Sequence, residues 1–194
     1  MFINWQLREL NLKVVYYGPA LSGKTTNLEQ IHAHTNPKQR GELVSLKTRE
    51  DRTLYFDFLQ LELGKISGLS PKIHLYTVPG QSYYEASRKL VLRGADGVVF
   101  VADSNRNRMN ENLESWENMK AHLISLNIPS DLPMIVQLNK RDMPNAMSVE
   151  ELRHTLGING NPVFESIAVQ GKGVFNTLKA IINGVVMRVQ REMA

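Results

Sequence analysis

One eight-residue segment, GPALSGKT (18–25), constrains the fold of this 194-residue chain more than any other feature. It fits the pattern G-x-x-x-x-G-K-[ST], follows a β-rich run (12–17) and leads into a helical pattern over Lys24–His34. In such a strand–loop–helix unit the backbone N–H groups surround phosphate oxygens, the lysine reaches the β- and γ-phosphates, and the threonine hydroxyl binds Mg²⁺. The residues expected to form this phosphate site are Gly18, Ala20, Leu21, Ser22, Gly23, Lys24, Thr25 and Thr26.

Strand-like and helical patterns alternate along the rest of the chain. Further β-rich stretches cover 43–46, 53–59, 72–77, 97–103, 134–139 and 162–168, and helical patterns cover 106–126 and 174–189. This alternation predicts a mostly parallel sheet with helices on both faces, and such sheets bind ligands at the carboxyl ends of their strands. The length suits a single domain spanning 1–194.

Composition excludes several classes of function. The chain has no cysteine, which excludes disulfides, thiolate zinc sites, cysteine nucleophiles, prenylation and palmitoylation. Its net charge of +4 comes from 23 basic and 19 acidic residues that are dispersed, so we expect no nucleic-acid partner. No apolar run reaches the roughly 18 residues of a membrane span, and Phe2 after Met1 argues against myristoylation. We expect a cytoplasmic protein without a lipid anchor or transmembrane segment.

The segment NKRD (139–142) indicates which base accompanies the phosphates. It follows the predicted strand 134–139, at the sheet edge where a ligand would lie. The Asp142 carboxylate can accept two hydrogen bonds from guanine, whereas adenine would leave it unpaired. The stem of Lys140 can lie across the base, and Asn139 can brace the loop. The alternative for these four letters alone is a solvated turn.

With both motifs in place, the chain resembles the Ras-type small GTPases and, more closely, the bacterial gliding-motility and polarity GTPases of the MglA family. The resemblance rests on VVYYGPALSGKTTNL, DRTLYFDFL, IHLYTVPGQSYYEASRKLVLRGADGVVFVADS, QLNKRDMPNA and GKGVFNTLK. It implies a P-loop NTPase fold of three α/β/α layers with a mostly parallel six-stranded sheet. It also implies a GTP/GDP switch that binds Mg²⁺ and hydrolyses GTP slowly without an activator. The implied partners are GTP-state effectors and an MglB-like activator of the roadblock fold, which supplies no arginine, with protein partners recruiting the chain to cell poles.

The same resemblance assigns the hydrolytic residues. Ras-type proteins read D-x-x-G-Q where this chain reads TVPGQ (77–81), so Gly80 corresponds to the γ-phosphate contact and Gln81 to the residue that orients the attacking water. Thr77 replaces the carboxylate that supports Mg²⁺. Asp57, on the strand 53–59, could supply that charge through a water; alternatively it points to solvent from a strand face.

Three further contacts follow from the resemblance. Thr53 is expected to complete the Mg²⁺ shell, with Thr48 as the alternative. Arg52 corresponds to an arginine that neutralises transition-state charge from within the chain, against the alternatives of Arg49 or a plain surface arginine. Backbone amides at Ala168 and Val169 are expected to face the guanine oxygen.

The sequence thus predicts catalysis by Lys24, Arg52, Gly80 and Gln81, and Mg²⁺ held by Thr25, Thr53 and Asp57. Two rival functions remain open at this point. Thr77 and the imperfect match around Ala168 would also suit a GTP-binding scaffold that does not hydrolyse. The phosphate loop alone would suit a P-loop kinase or ATPase.

Overall fold

A computed structural model describes residues 2–47, 53–65, 68–81 and 84–193, without the side chains of 46–47 and 53–55. The strands are β1 (Phe2–Asn4), β2 (Glu9–Tyr17), β3 (Val44–Lys47), β4 (Thr53–Glu62), β5 (Ser70–Thr77), β6 (Gly97–Asp103), β7 (Met134–Asn139) and β8 (Val163–Glu165). The helices are α1 (Lys24–His34), α2 (Glu85–Leu92), α3 (Met109–Ser125), α4 (Val149–Leu156) and α5 (Val174–Met193), and short 3-10 turns cover Pro37–Gln39, Arg106–Arg108 and Ala168–Gln170.

The strands form one mixed sheet in the order β3-β4-β5-β2-β6-β7-β8, with β1 also paired to β2. The pairs β2–β5, β2–β6, β6–β7 and β7–β8 are parallel, and β1–β2, β3–β4 and β4–β5 are antiparallel. The predicted α/β class is therefore confirmed. The six strands implied by the resemblance are wrong for the described part of the chain, where the sheet has eight. Seven of these correspond to the β-rich stretches of the sequence, and β1 is the additional one.

The central strand β2 explains the layering. Its residues alternate between the two sheet faces, because side chains of a strand point to opposite sides in turn. Leu10, Leu12, Val14 and Tyr16 pack with α1 and α5, while Val15 and Tyr17 pack with α2, α3 and α4. Strand β6 is buried at every position, as its near-continuous apolar sequence predicts for a strand covered on both faces.

Strand β2 pairs with one strand on one side and with two successive strands on the other. Strand β5 pairs with it from Glu9 to Tyr16 on one side. On the other side β6 pairs with Val14–Tyr17, and β1 pairs antiparallel with Glu9–Asn11. The short strand β1 thus pairs with the first residues of β2, which β6 does not reach.

The sequence patterns missed two helices. Helix α4 begins with a capping box, in which the Ser148 hydroxyl accepts from the Glu151 N–H and the Glu151 carboxylate accepts from the Ser148 N–H. The spacing S-x-x-E is a sequence signal for such a start. Helix α2 begins next to residues outside the described part and has eight residues, too short for a clear apolar stripe. No helix among the described residues is long and apolar enough to cross a membrane.

The contact between β6 and α5 generates a stability prediction. A Cβ at Gly97 would lie 2.6 Å from Val185 Cγ2 and 3.1 Å from Ile181 Cδ1. We expect Gly97→Ala to lower the free energy of unfolding by about 1–3 kcal/mol, because overpacking forces these side chains to move. Urea unfolding of the nucleotide-free protein measures this change.

The matched control is Gly64→Ala, since a Cβ there meets no heavy atom within 4 Å. It should stay within about 0.5 kcal/mol of the wild type. Equal effects of the two substitutions would contradict the packing argument.

Candidate nucleotide-binding site

The predicted phosphate loop lies at the carboxyl ends of the central parallel strands and is packed tightly against two of them. Gly18 and Gly23 have φ angles of 145° and 102°, which disfavour residues with a Cβ. A Cβ at Gly18 would lie 2.3 Å from the Val101 carbonyl oxygen of β6, and one at Gly23 would lie 2.2 Å from Asn139 Nδ2 of β7. These two glycines therefore allow the loop to sit directly on the sheet edge.

Lys24 is buried at the start of α1. Its Nζ donates hydrogen bonds to the carbonyl oxygens of Gly18 (2.9 Å) and Pro19 (2.7 Å), so the side chain bends back across the loop. Burial lowers the pKa of Lys24 to about 7; the charge of Asp57 opposes this shift and that of Arg88 adds to it. A cation held in this way lacks a full counter-charge, and phosphate oxygens would supply one.

Asp57 is buried in β4, so it does not point to solvent. Its Oδ2 accepts hydrogen bonds from the hydroxyls of Thr25 (2.5 Å) and Thr77 (2.7 Å), and its Oδ1 accepts from the Ser45 hydroxyl. The Asp57 N–H donates in turn to Thr77 Oγ1 at 2.8 Å. The structure thus places a carboxylate beside the phosphate-loop threonine, held there by the residue that replaces the usual aspartate.

These oxygen atoms suit a hard divalent cation. Mg²⁺ prefers oxygen ligands and is commonly bound through one or two protein groups together with substrate phosphates. Thr25 and Asp57 offer a hydroxyl and a carboxylate next to the phosphate loop. The backbone of Thr53 opens β4, but its side chain, and the whole of Thr48, Arg49 and Arg52, lie outside the described part of the chain.

Gly80 and Gln81 follow β5 and reach the phosphate loop. A Cβ at Gly80 would lie 2.4 Å from both N and Cα of Ala20, so the two backbones touch. The Gln81 carbonyl oxygen accepts a hydrogen bond of 2.6 Å from Nη1 of Arg88, a buried arginine on α2. The structure therefore brings both predicted hydrolytic residues of this segment to the phosphate loop, and α2 holds the backbone of the second.

A chain of three polar side chains, two of them buried, links α2 to the strand before the loop. Tyr17 Oη lies 3.1 Å from His122 Nδ1 of α3, and His122 Nε2 lies 3.3 Å from Glu85 Oε1 of α2. Burial raises the pKa of the Tyr17 hydroxyl to about 12. The position of α2 is thus tied to α3 and to the end of β2.

Asn139 joins three segments of the site through one buried amide. Its Nδ2 donates to the Ser22 carbonyl oxygen at 2.8 Å. Its Oδ1 accepts from the Ser166 hydroxyl at 3.0 Å and from the Ala168 N–H at 2.9 Å. The Ala168 N–H, which the sequence assigned to the base, therefore serves inside the protein, whereas Val169 beside it is exposed.

Two ion pairs hold side chains of the NKRD loop. Lys140 has a φ of 64° and its Nζ forms an ion pair of 2.7 Å with the buried Asp103 at the end of β6. Arg141 Nε forms an ion pair of 2.7 Å with Glu165. Asp142 is exposed. Sequence reasoning missed Asp103, although an acid at the carboxyl end of a buried strand is a usable signal.

A phosphate loop, a second loop after β7 and a buried carboxylate at one edge of a mixed sheet are typical of nucleotide-binding α/β proteins. The model of the ADP-ribosylation factor family matches residues 1–185, and this chain belongs to that family of small GTPases. The resemblance predicted from the sequence is thereby confirmed.

The curated relatives include one that matches over nearly its whole length. The mutual gliding-motility protein MglA of Myxococcus xanthus is 51% identical over 191 residues, which cover 98% of each chain. Two fungal proteins are more distant: the Ypt/Rab-type GTPase Rab7 of Neurospora crassa and the Ypt/Rab-type GTPase avaA of Emericella nidulans. Each is 25% identical over 189 residues, covering 95% of this chain and 87% of the relative.

The depressed pKa of Lys24 generates a prediction about stability. An unfolded lysine keeps its proton up to a pH of about 10.4, whereas the buried one releases it near 7. The unfolded state therefore binds more protons between these values, so this group makes stability rise with pH across the window. We expect the nucleotide-free wild type to gain stability relative to Lys24→Met from pH 7 to pH 9, by up to about 1.4 kcal/mol per pH unit.

Urea unfolding of both proteins at several pH values measures the difference between the two profiles. Taking the difference removes the contributions of all other titrating groups. Parallel profiles would show that burial leaves the proton affinity of Lys24 unchanged.

Proposed function

We propose that this protein is a molecular switch that binds GTP or GDP with Mg²⁺ and hydrolyses GTP to GDP and phosphate. The observation that carries the proposal is the buried amide of Asn139, which ties the phosphate loop at Ser22 to the base-side segment at Ala168. Two loops with different chemistry, one for phosphates and one for a base, are thus held at a fixed distance. Membership of the ADP-ribosylation factor family supports the same conclusion.

The proposed nucleotide contacts divide between these loops. Backbone amides of the segment 18–26 and the Nζ of Lys24 bind the phosphates. The Asp142 carboxylate accepts from guanine, and the stem of Lys140 lies across the base. The Val169 amide faces the guanine oxygen, because the Ala168 N–H already donates to Asn139. The Lys140–Asp103 ion pair supports this arrangement, because it fixes the direction of the lysine stem.

Thr25 and Thr53 are proposed to bind Mg²⁺ directly, and Asp57 through a water. The cation, when bound, neutralises charge on the β- and γ-phosphates. The hydroxyls of Thr25, Ser45 and Thr77, which donate to the Asp57 carboxylate, support this role, and Thr77 is proposed to orient the carboxylate. Under this assignment, Thr77 no longer favours a scaffold that does not hydrolyse GTP.

For hydrolysis, we propose that the Gln81 side chain orients a water for in-line attack on the γ-phosphorus, with cleavage of the bond to the β–γ bridging oxygen. Lys24, the loop amides and Arg52 absorb the negative charge that develops. The Gly80 N–H contacts the γ-phosphate and is released when that group leaves. The contact of Gly80 with Ala20 supports this role, since it brings the segment within reach of the phosphate loop.

The cellular role is proposed from the gliding-motility relative, which matches 98% of each chain. We propose that this chain acts in bacterial motility or polarity, working in the cytoplasm and recruited to cell poles by protein partners. An MglB-like activator accelerates its slow hydrolysis, and effectors bind the GTP state.

The test is single-turnover phosphate release from GTP with Mg²⁺ by the purified protein, beside Gln81→Leu and Arg52→Ala. We expect slow turnover in the wild type that is lost in Gln81→Leu while GTP binding is retained. An arginine acting within the chain would make release fall in Arg52→Ala as well. Bound GTP that is never cleaved, with or without an activator, would instead support the scaffold.

Base selectivity separates a GTPase from a kinase or ATPase. Excess ATP should not displace a fluorescent GDP analogue, and Asp142→Asn should weaken its binding, because the substituted amide no longer offers two acceptor oxygens. Displacement by ATP, together with unchanged affinity in Asp142→Asn, would contradict guanine recognition.

The role of Asp57 yields a further prediction. Asp57→Asn should raise the Mg²⁺ concentration needed for half-maximal GDP retention by roughly ten- to a hundredfold, the usual effect of losing a group that orients metal ligands. Titration of Mg²⁺ against nucleotide dissociation measures this. Asp131→Asn, a substitution of an exposed aspartate that pairs with Arg188, is the control and should not shift the curve. Equal curves for all three proteins would exclude Asp57 from the metal site.

A further inference from the structure

Arg108 connects the start of α3 to the phosphate loop. It is the last residue of the 3-10 turn before the helix, and its Nη2 donates a hydrogen bond of 3.0 Å to the Ala20 carbonyl oxygen. Its Nη1 forms an ion pair of 2.6 Å with Glu111 one turn further on. The guanidinium lines a groove of about 340 Å³ together with Ala20, Leu21 and Gln81.

The contact with Ala20 fixes the orientation of one peptide group. The described chain has no cis peptide bond, so the Ala20 carbonyl and the Leu21 N–H point in opposite directions across a planar unit. Because the Ala20 carbonyl points towards Arg108 before α3, the Leu21 N–H points away from that side. Loop amides pointing inward are what a G-x-x-x-x-G-K-[ST] segment uses to bind phosphate.

Leu21 itself does not favour this conformation. Its φ is 63°, in the left-handed region where the Cβ of an ordinary residue is crowded. Its side chain is 64% exposed, so packing of the leucine contributes little to holding it there. The Arg108 guanidinium supplies a contact from outside the loop at the adjacent carbonyl.

We propose that Arg108 is a positioning residue for nucleotide binding: by holding the Ala20 carbonyl, it keeps the Leu21 N–H aimed at the phosphates. This inference rests on the proposed nucleotide-binding function. Arg108 acts through the backbone of the loop, and Glu111 fixes the second arm of its guanidinium. The planar guanidinium of Arg108 can donate to Ala20 and to Glu111 at once, whereas a lysine ammonium is a compact point charge on a flexible stem.

The test is the rate at which a fluorescent GDP analogue leaves the protein in the presence of Mg²⁺. We expect Arg108→Ala to release it roughly tenfold faster than the wild type, as for the loss of one hydrogen bond from a charged donor. The control is Arg106→Ala, two residues away, where the arginine is exposed and paired with Glu151. This variant should release the analogue at the wild-type rate.

Two variants separate the loop contact from the ion pair. Glu111→Gln removes the partner charge but leaves the donor to Ala20, so its release rate should rise less than that of Arg108→Ala. Arg108→Lys should restore part of the slow release, because an ammonium can still donate to the carbonyl.

A spectroscopic readout distinguishes positioning from general support of the fold. The ³¹P resonances of bound GDP should shift in Arg108→Ala and stay in place in Arg106→Ala, while the unfolding temperatures of the nucleotide-free proteins remain similar. Faster release without any ³¹P shift, accompanied by a lowered unfolding temperature, would overturn the proposal. Release within twofold of the wild type would also overturn it.

A different result would refute the proposed nucleotide-binding function. A wild-type protein that holds no GDP at all would refute nucleotide binding, and the positioning role of Arg108 with it. A wild type that holds GDP as tightly as Arg108→Ala refutes the positioning role alone.

Discussion

The buried carboxylate of Asp57 is the constraint around which the site is arranged. Removing a carboxylate from water is costly unless hydrogen bonds replace the lost solvation. Here the donors are the hydroxyls of Thr25, Ser45 and Thr77, which belong to α1, β3 and β5. Each donor fixes one element relative to β4, so the phosphate loop, the edge strand and the segment that leads to Gly80 converge on one charged group. Its negative charge also opposes the loss of the Lys24 proton.

Beneath the loops lies a second buried polar network that keeps the framework rigid. Asn27 of α1 donates to Gln137 Oε1 of β7 at 2.8 Å, and Gln137 Nε2 donates to Thr177 of α5 at 3.0 Å. All three side chains are buried and hydrogen-bonded, as buried polar groups must be. The base side and the phosphate side of the site therefore rest on one hydrogen-bonded network, while the Gln81 backbone is held by Arg88 of α2.

The sequence predicted those parts of the fold whose signals are local. The unit β2–loop–α1 and the strands β6 and β7 follow from a spacing motif and from apolar runs, and the structure has them with nearly the same bounds. Strand β1 has three residues and α2 has eight, too few to give a periodic pattern. Partners of side chains were harder to foresee: the burial of Asp57 depends on Ser45 and Thr77, and the Ala168 N–H is taken by Asn139. Such contacts join segments far apart in sequence, so they follow from the packing of whole elements rather than from any short pattern.

The pairing of β1 has a consequence for how the chain avoids self-association. Without β1, the backbone of Glu9–Asn11 in the central strand would present open N–H and C=O groups beside β6. Such an edge invites an added strand from another molecule, the first step of aggregation. The three residues of β1 occupy that position from within the chain. Phe2 is largely exposed and Ile3 packs against the core. Backbone pairing and one side chain therefore hold β1, and this short segment covers the open part of the central strand.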